Sequence, residues 1–212
     1  MILSARFRDM RSNLKELRKH MLPKKFSPTG NYTERQQDHA RGYRLLAHAE
    51  IEAYLEDVSR ATVIKAISSW KKKGQSSKTL IALLAAYHSS WSVNDGISND
   101  EIIQIAKSRV NIKESVDKVI DLAQNQFIQQ VKDNHGIKEN NFRILIAPTG
   151  VDLSELDSMW ITNLNNFGSQ RGAVAHNSKR TTGQINPKDE LTTVNSLVLG
   201  LEDLDGRIKK IK

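Results

Sequence analysis

The chain has 212 residues and no cysteine, which excludes a disulfide framework and any thiolate metal site. Proline is scarce, at four residues, and strand-like runs are few, so the chain reads as all-α. Long hydrophobic runs are also missing. The longest, Leu80 to Tyr87, falls far short of the roughly 20 residues that span a bilayer. The first twenty residues are charged throughout and lack the apolar stretch of a secretion signal. His20, His39, His88 and His135 are scattered without metal-ligand spacing, and no Gly-rich phosphate loop or activated serine is present. These absences set the expectation of a cytoplasmic protein with no membrane partner, no metal and no cofactor.

The charge is unbalanced. There are 32 Lys and Arg against 24 Asp and Glu, a net charge of +8. A basic surplus favours polyanionic partners, nucleic acid above all, through counterion release. An ordinary basic surface accounts for the same number. The dense clusters are Arg6 to Lys25, Lys71 to Lys73 and Arg207 to Lys212, and none interleaves aromatics as a single-strand stacking platform does.

Apolar periodicity predicts a bundle of helices in one domain, 1–212: an N-terminal helix and loop (1–32), a core (33–178) and a C-terminal helix (187–212). The first helix is expected over about Ser4–Met21 and a long second one over about Thr33–Lys73, stopped by Gly74. Ser76 or Ser77 caps a third helix running to about Trp91, apolar over most of its surface and so expected at the bundle centre. After a loop to Asn99 come a short helix to about Arg109 and another from Asn111 or Lys113 to Asn134, with Gly136 in the C′ role. Phe142 to Ile146 fits a short strand or a helical turn, and the turn is favoured. Asp152 or Ser154 caps the next helix, which ends near Ser178. A last helix covers about Lys188–Ile211.

On the helix that ends near Ser178, Trp160, Leu164, Phe167, Arg171 and Val174 recur at steps of four, three, four and three. A charged head on an apolar seam needs a partner or a water-filled cleft. The same stretch reads Arg171-Gly-Ala-Val-Ala-His176-Asn177. Five positions on a helix correspond to about 140° of rotation and about 7.5 Å of rise, so the guanidinium and imidazole flank the helix rather than stack. Paired copies of this helix would gather two Arg and two His into one cleft. Spacing alone is weak: with 13 Arg and 6 His, such a pair arises roughly once by chance, and Arg41 with His48 fits a looser version.

The surroundings add specificity. The long helix reads Gly42-Tyr-Arg-Leu-Leu-Ala-His-Ala-Glu50-Ile-Glu52-Ala-Tyr-Leu-Glu56. The approach to the Arg–His helix runs from Gly136 through Asn141 and Ile144 to Pro148-Thr-Gly150-Val-Asp152. With Arg171 and His176, these stretches resemble the HEPN superfamily, most closely its RiboL-PSP-HEPN-like group, over about Gly42 to Ser178. The resemblance implies a compact α-helical bundle that dimerises through the motif helix. It also implies a metal-independent endoribonuclease of a toxin–antitoxin or phage-defence system, with RNA as substrate and an antitoxin or other defence protein as partner. Non-catalytic family members that bind RNA or nucleotide are the alternative, and a basic helical nucleic-acid-binding regulator is a third reading. The family usually has a polar residue after the Arg, where this chain has Gly172.

Cutting RNA without a metal requires the 2′-OH to lose a proton and the 5′-oxygen to gain one. Imidazole can do either at neutral pH. A guanidinium fits phosphate oxygens and offsets the charge of the phosphorane. His176 is therefore the expected acid or base and Arg171 the phosphate clamp. Glu52 either orients them across helices or belongs to a solvated face. Asn177 either contacts substrate or caps the helix end. His48 is expected to pack between helices.

Overall fold

A computed structural model describes residues 3–87, 112–176 and 183–211; of these, the side chains of 112–115, 173, 175 and 176 are not described. Among the described residues there are seven α-helices and no strand. They are α1 (Ala5–Met21), α2 (Glu34–Lys73), α3 (Lys78–Tyr87), α4 (Ile112–Lys132), α5 (Glu139–Ile146), α6 (Ser158–His176) and α7 (Pro187–Lys210). Short 3₁₀ turns at Ala147–Thr149 and Leu153–Glu155 join α5 to α6.

Helix α2 is the axis. At its start the Thr33 side chain and Gln36 form a reciprocal capping box, and Gly74 ends it in the left-handed conformation at φ 66° after three lysines. Each of the other six helices touches it. Around it, α1 packs on α7, α7 on α6, α6 on α5, α5 on α4 and α4 on α3. Among the described residues the ring stays open between α1 and α3, where a cavity of about 700 Å³ lies over Val58, Ala61 and Ala66. One hydrophobic cluster runs through all seven helices, with Tyr43, Ile51, Tyr54 and Leu55 of α2 at its centre.

Polar ties fix the outer helices. Asp205 of α7, fully buried, accepts from the Ser4 N–H at 2.7 Å and from the Tyr54 hydroxyl at 3.0 Å, holding the start of α1 against α2. Arg44 of α2 forms a two-pronged ion pair with buried Glu190 of α7, its Nε donating to Oε2 at 2.8 Å.

Several expectations need correction. Helix α3 is peripheral, with Ile81 63 % exposed, and α2 holds the centre instead. Length decides this, because only a 40-residue helix can offer a face to six neighbours. Gly136 is not a left-handed C′ residue: α4 ends at Lys132, and the positive-φ glycines are Gly30, Gly74, Gly150 and Gly183. Phe142 to Ile146 is the end of a helix, α5, rather than an isolated turn. The Arg–His helix starts at Ser158, later than a cap at Asp152 or Ser154 would place it. Asp152 caps the 3₁₀ turn, while Asp157 Oδ1 accepts from the Met159 N–H at 2.9 Å and so opens α6. The helix end at Trp91, the loop to Asn99, the Asn99–Arg109 helix, Asn111, Asn177 and the end at Ser178 lie outside the described residues.

Candidate functional site

Helix α6 is anchored at its first turn. The Trp160 indole fits where Gly200 of α7 has no side chain, and its Nε1 donates to the Leu197 carbonyl at 3.0 Å. A Cβ at Gly200 would sit 2.2 Å from that nitrogen, so only glycine admits the ring. Leu164 and Phe167 continue the seam into the core. Arg171, one turn further, is half-buried. The period that buries three large side chains thus brings a guanidinium to the rim of the bundle.

Across from it, α2 presents His48, Glu52 and Glu56 on successive turns. His48 is 1 % exposed and stacks on Phe167 of α6, ring centres 6.2 Å apart and planes at 28°. Its Nδ1 makes no hydrogen bond and stands 3.5 Å from Glu52 Oε2. Burial, reinforced by the Arg171 cation, pushes His48 down to about 4. It is therefore neutral at pH 7 and belongs to the packing between helices. Arg41, its partner in the looser motif, donates to Asp38 and to the Gly183 carbonyl, each at 2.8 Å.

Glu52 is 16 % exposed. Burial and then the neighbouring Glu56 carboxylate push it above the usual glutamate range, while Arg171 and His135 pull it back. Asn134 joins the two acids, its Nδ2 donating to Glu56 Oε1 at 2.8 Å and lying 3.5 Å from Glu52 Oε1. Asn141 of α5 donates in turn to Asn134 Oδ1 at 2.9 Å. The structure therefore brings Arg171 and Glu52 into one electrostatic neighbourhood. His176 is the last residue of α6, its side chain among those not described, and Asn177 lies outside the described residues. Asn134 and His135 are absent from the site residues read in the sequence. They stand at the end of a different helix, and nothing in their spacing points to Arg171.

The sequence matches the RiboL-PSP-HEPN family model over residues 8–210. The chain belongs to this family. The match takes in α1 from Arg8 onward, all of α2 and the Arg171–His176 helix, so the HEPN assignment rests on nearly the whole bundle. No curated protein and no solved structure matches the chain. HEPN membership fits a nuclease or an RNA-binding module. Among the described residues no helix is long and apolar enough to cross a membrane, and no three His, Asp or Glu side chains converge as metal ligands.

Proposed function

We propose that this HEPN protein is a metal-independent endoribonuclease, a single domain whose active site forms where two copies pair through α6. The observation that carries the reading is the half-buried Arg171 guanidinium, at the end of an apolar seam and within electrostatic reach of Glu52. A cation held there by helix packing meets a phosphate already oriented, so little reorganisation accompanies the reaction.

In the proposed chemistry the neutral His176 imidazole takes the proton of a ribose 2′-OH, whose oxygen attacks the adjacent phosphorus. Arg171 binds the non-bridging oxygens as negative charge builds on them. Glu52 holds Arg171 in place, and Asn177 contacts the substrate beside His176. The 5′-oxygen leaves with a proton and the other product ends in a 2′,3′-cyclic phosphate. Such an enzyme acts in the cytoplasm as a toxin or phage-defence effector, restrained by an antitoxin or other defence-system partner.

A second reading, a non-catalytic HEPN module that binds RNA or nucleotide, draws on the surface of α1. Arg8, Arg11 and Lys15 follow one another at steps of three and four on its exposed side, a stripe suited to a phosphate backbone. Total RNA incubated with the purified protein and a chelator separates the two. The nuclease reading expects fragments with cyclic phosphate ends, lost in Arg171→Ala and in His176→Ala. Intact RNA, or equal cutting by the variants, would overturn it. Light scattering tests the dimer.

A further inference from the structure

The segment between α4 and α5 is laid along α6 in a fixed register. Asn165 Oδ1 accepts from the Glu139 N–H at 3.2 Å. One turn later, Gly168 lets this segment approach closely: a Cβ there would lie 3.2 Å from the Lys138 nitrogen and 3.5 Å from an Ile137 side-chain carbon. The segment thus runs backwards as α6 runs forwards. The next turn of α6 carries Arg171, and the segment continues back through Gly136 to His135 and Asn134. On the other side, Asn134 is tied to Glu56 of α2 at 2.8 Å. His135 itself is exposed, and its influence reaches Glu52. The charged groups around the Asn134–His135 segment are Glu52 and Glu56 from α2, bonded or close to Asn134, and Arg171 from α6, which acts on the same Glu52 carboxylate.

We infer that His135 is the general acid of the cleavage reaction, giving its proton to the departing 5′-oxygen. This rests on the nuclease reading above and deepens it, because an acid then comes from the same protomer as Arg171 and Glu52. The O2′–P bond forms as the P–O5′ bond breaks. The 2′-OH proton goes to the His176 imidazole, the electron pair of the broken bond stays on O5′, and the His135 imidazolium protonates it. Solvent then takes the proton from His176 and returns one to His135. His48, the other imidazole beside Glu52, is enclosed in packing and cannot reach a substrate. His135 is exposed and, in this reading, meets the phosphodiester that Arg171 holds.

The test uses an RNA that the wild-type protein cuts, together with the same RNA carrying sulfur in place of the bridging 5′-oxygen at the cut site. A thiolate leaves without protonation. His135→Ala should cut the ordinary RNA about 10²–10⁴-fold more slowly and cut the sulfur substrate near the wild-type rate. His176→Ala should be slow on both. Circular dichroism and thermal melting of His135→Ala should match wild type, since the residue is exposed. An active wild type with a His135→Ala variant within about threefold on ordinary RNA, or equally slow on both substrates, overturns this inference alone. A wild type that cuts no RNA overturns the nuclease reading and this inference together.

Discussion

Glu52 Oε2 stands 3.5 Å from His48 Nδ1, one turn earlier on α2, and the Arg171 cation acts on both. It favours the charged carboxylate and disfavours the charged imidazole, so its own contribution opposes a proton on either group, against the burial that raises Glu52. Arg171→Ala should therefore move the Glu52 and His48 midpoints upward together in a carbon-13 NMR titration. Midpoints that stay in place would mean that the guanidinium points elsewhere. In the cleavage assay Arg171→Lys should restore only part of the rate lost in Arg171→Ala, since an ammonium lacks the planar fork.

His48 makes stability depend on pH. Its pKa falls from 6.5 to about 4 on folding, so between those values the unfolded chain binds more protons than the folded one. The neutral, packed imidazole stabilises the fold fully above about pH 6.5, and that contribution is lost as the pH falls towards 4. Across this window His48 adds a loss on the order of 3 kcal/mol. A neutral His48→Gln variant should show a shallower fall in melting temperature over the same range. Parallel acid limbs for the two proteins would refute the assignment.

Gly200 is a steric requirement of α6. Gly200→Ala places a methyl group 2.2 Å from Trp160 Nε1, so the indole must leave its seat and its bond to Leu197. Urea denaturation should report a loss of about 1–3 kcal/mol. A loss below about 0.5 kcal/mol, typical of a surface substitution, would show that the ring relocates freely.

The Arg44–Glu190 pair is largely removed from water, with side chains 13 % and 6 % exposed. Arg44→Ala leaves a carboxylate buried alone and should cost about 3–5 kcal/mol in urea unfolding. Replacing both, with Arg44→Met and Glu190→Met, should recover most of that. A double variant no better than the single one would locate the cost in packing instead of charge.

Much of this fold is readable in the sequence where the signal is local. Ser4, Thr33 and Gly74 mark helix ends because caps act within three or four residues. The Trp160–Leu164–Phe167 stripe announces a core-facing α6 whose next turn is a cation. Other features depend on distant partners. The central place of α2 over α3 follows from which helices surround it, and apolar content alone points to the wrong one. Gly136 reads as a helix terminator, yet α4 ends earlier and the side chain of Asn134, two residues before it, reaches Glu56 on α2. His135 lies 36 positions before Arg171 in the chain (171 − 135), and only the folded arrangement of their elements lets both act on Glu52. Periodicity describes each helix by itself, whereas this juxtaposition belongs to three of them.

The seat of Trp160 has a mechanical consequence. Arg171 lies 11 residues further along α6 (171 − 160), about 16 Å of helix from that fulcrum. A tilt of about 5° at the pivot sweeps the far end through about 1.4 Å, and misplacement on that scale can cost a reaction about 10²-fold. If the nuclease proposal holds, changes around Gly200 and Leu197 should thus act as a lever on turnover, slowing it without altering any group proposed to meet the substrate.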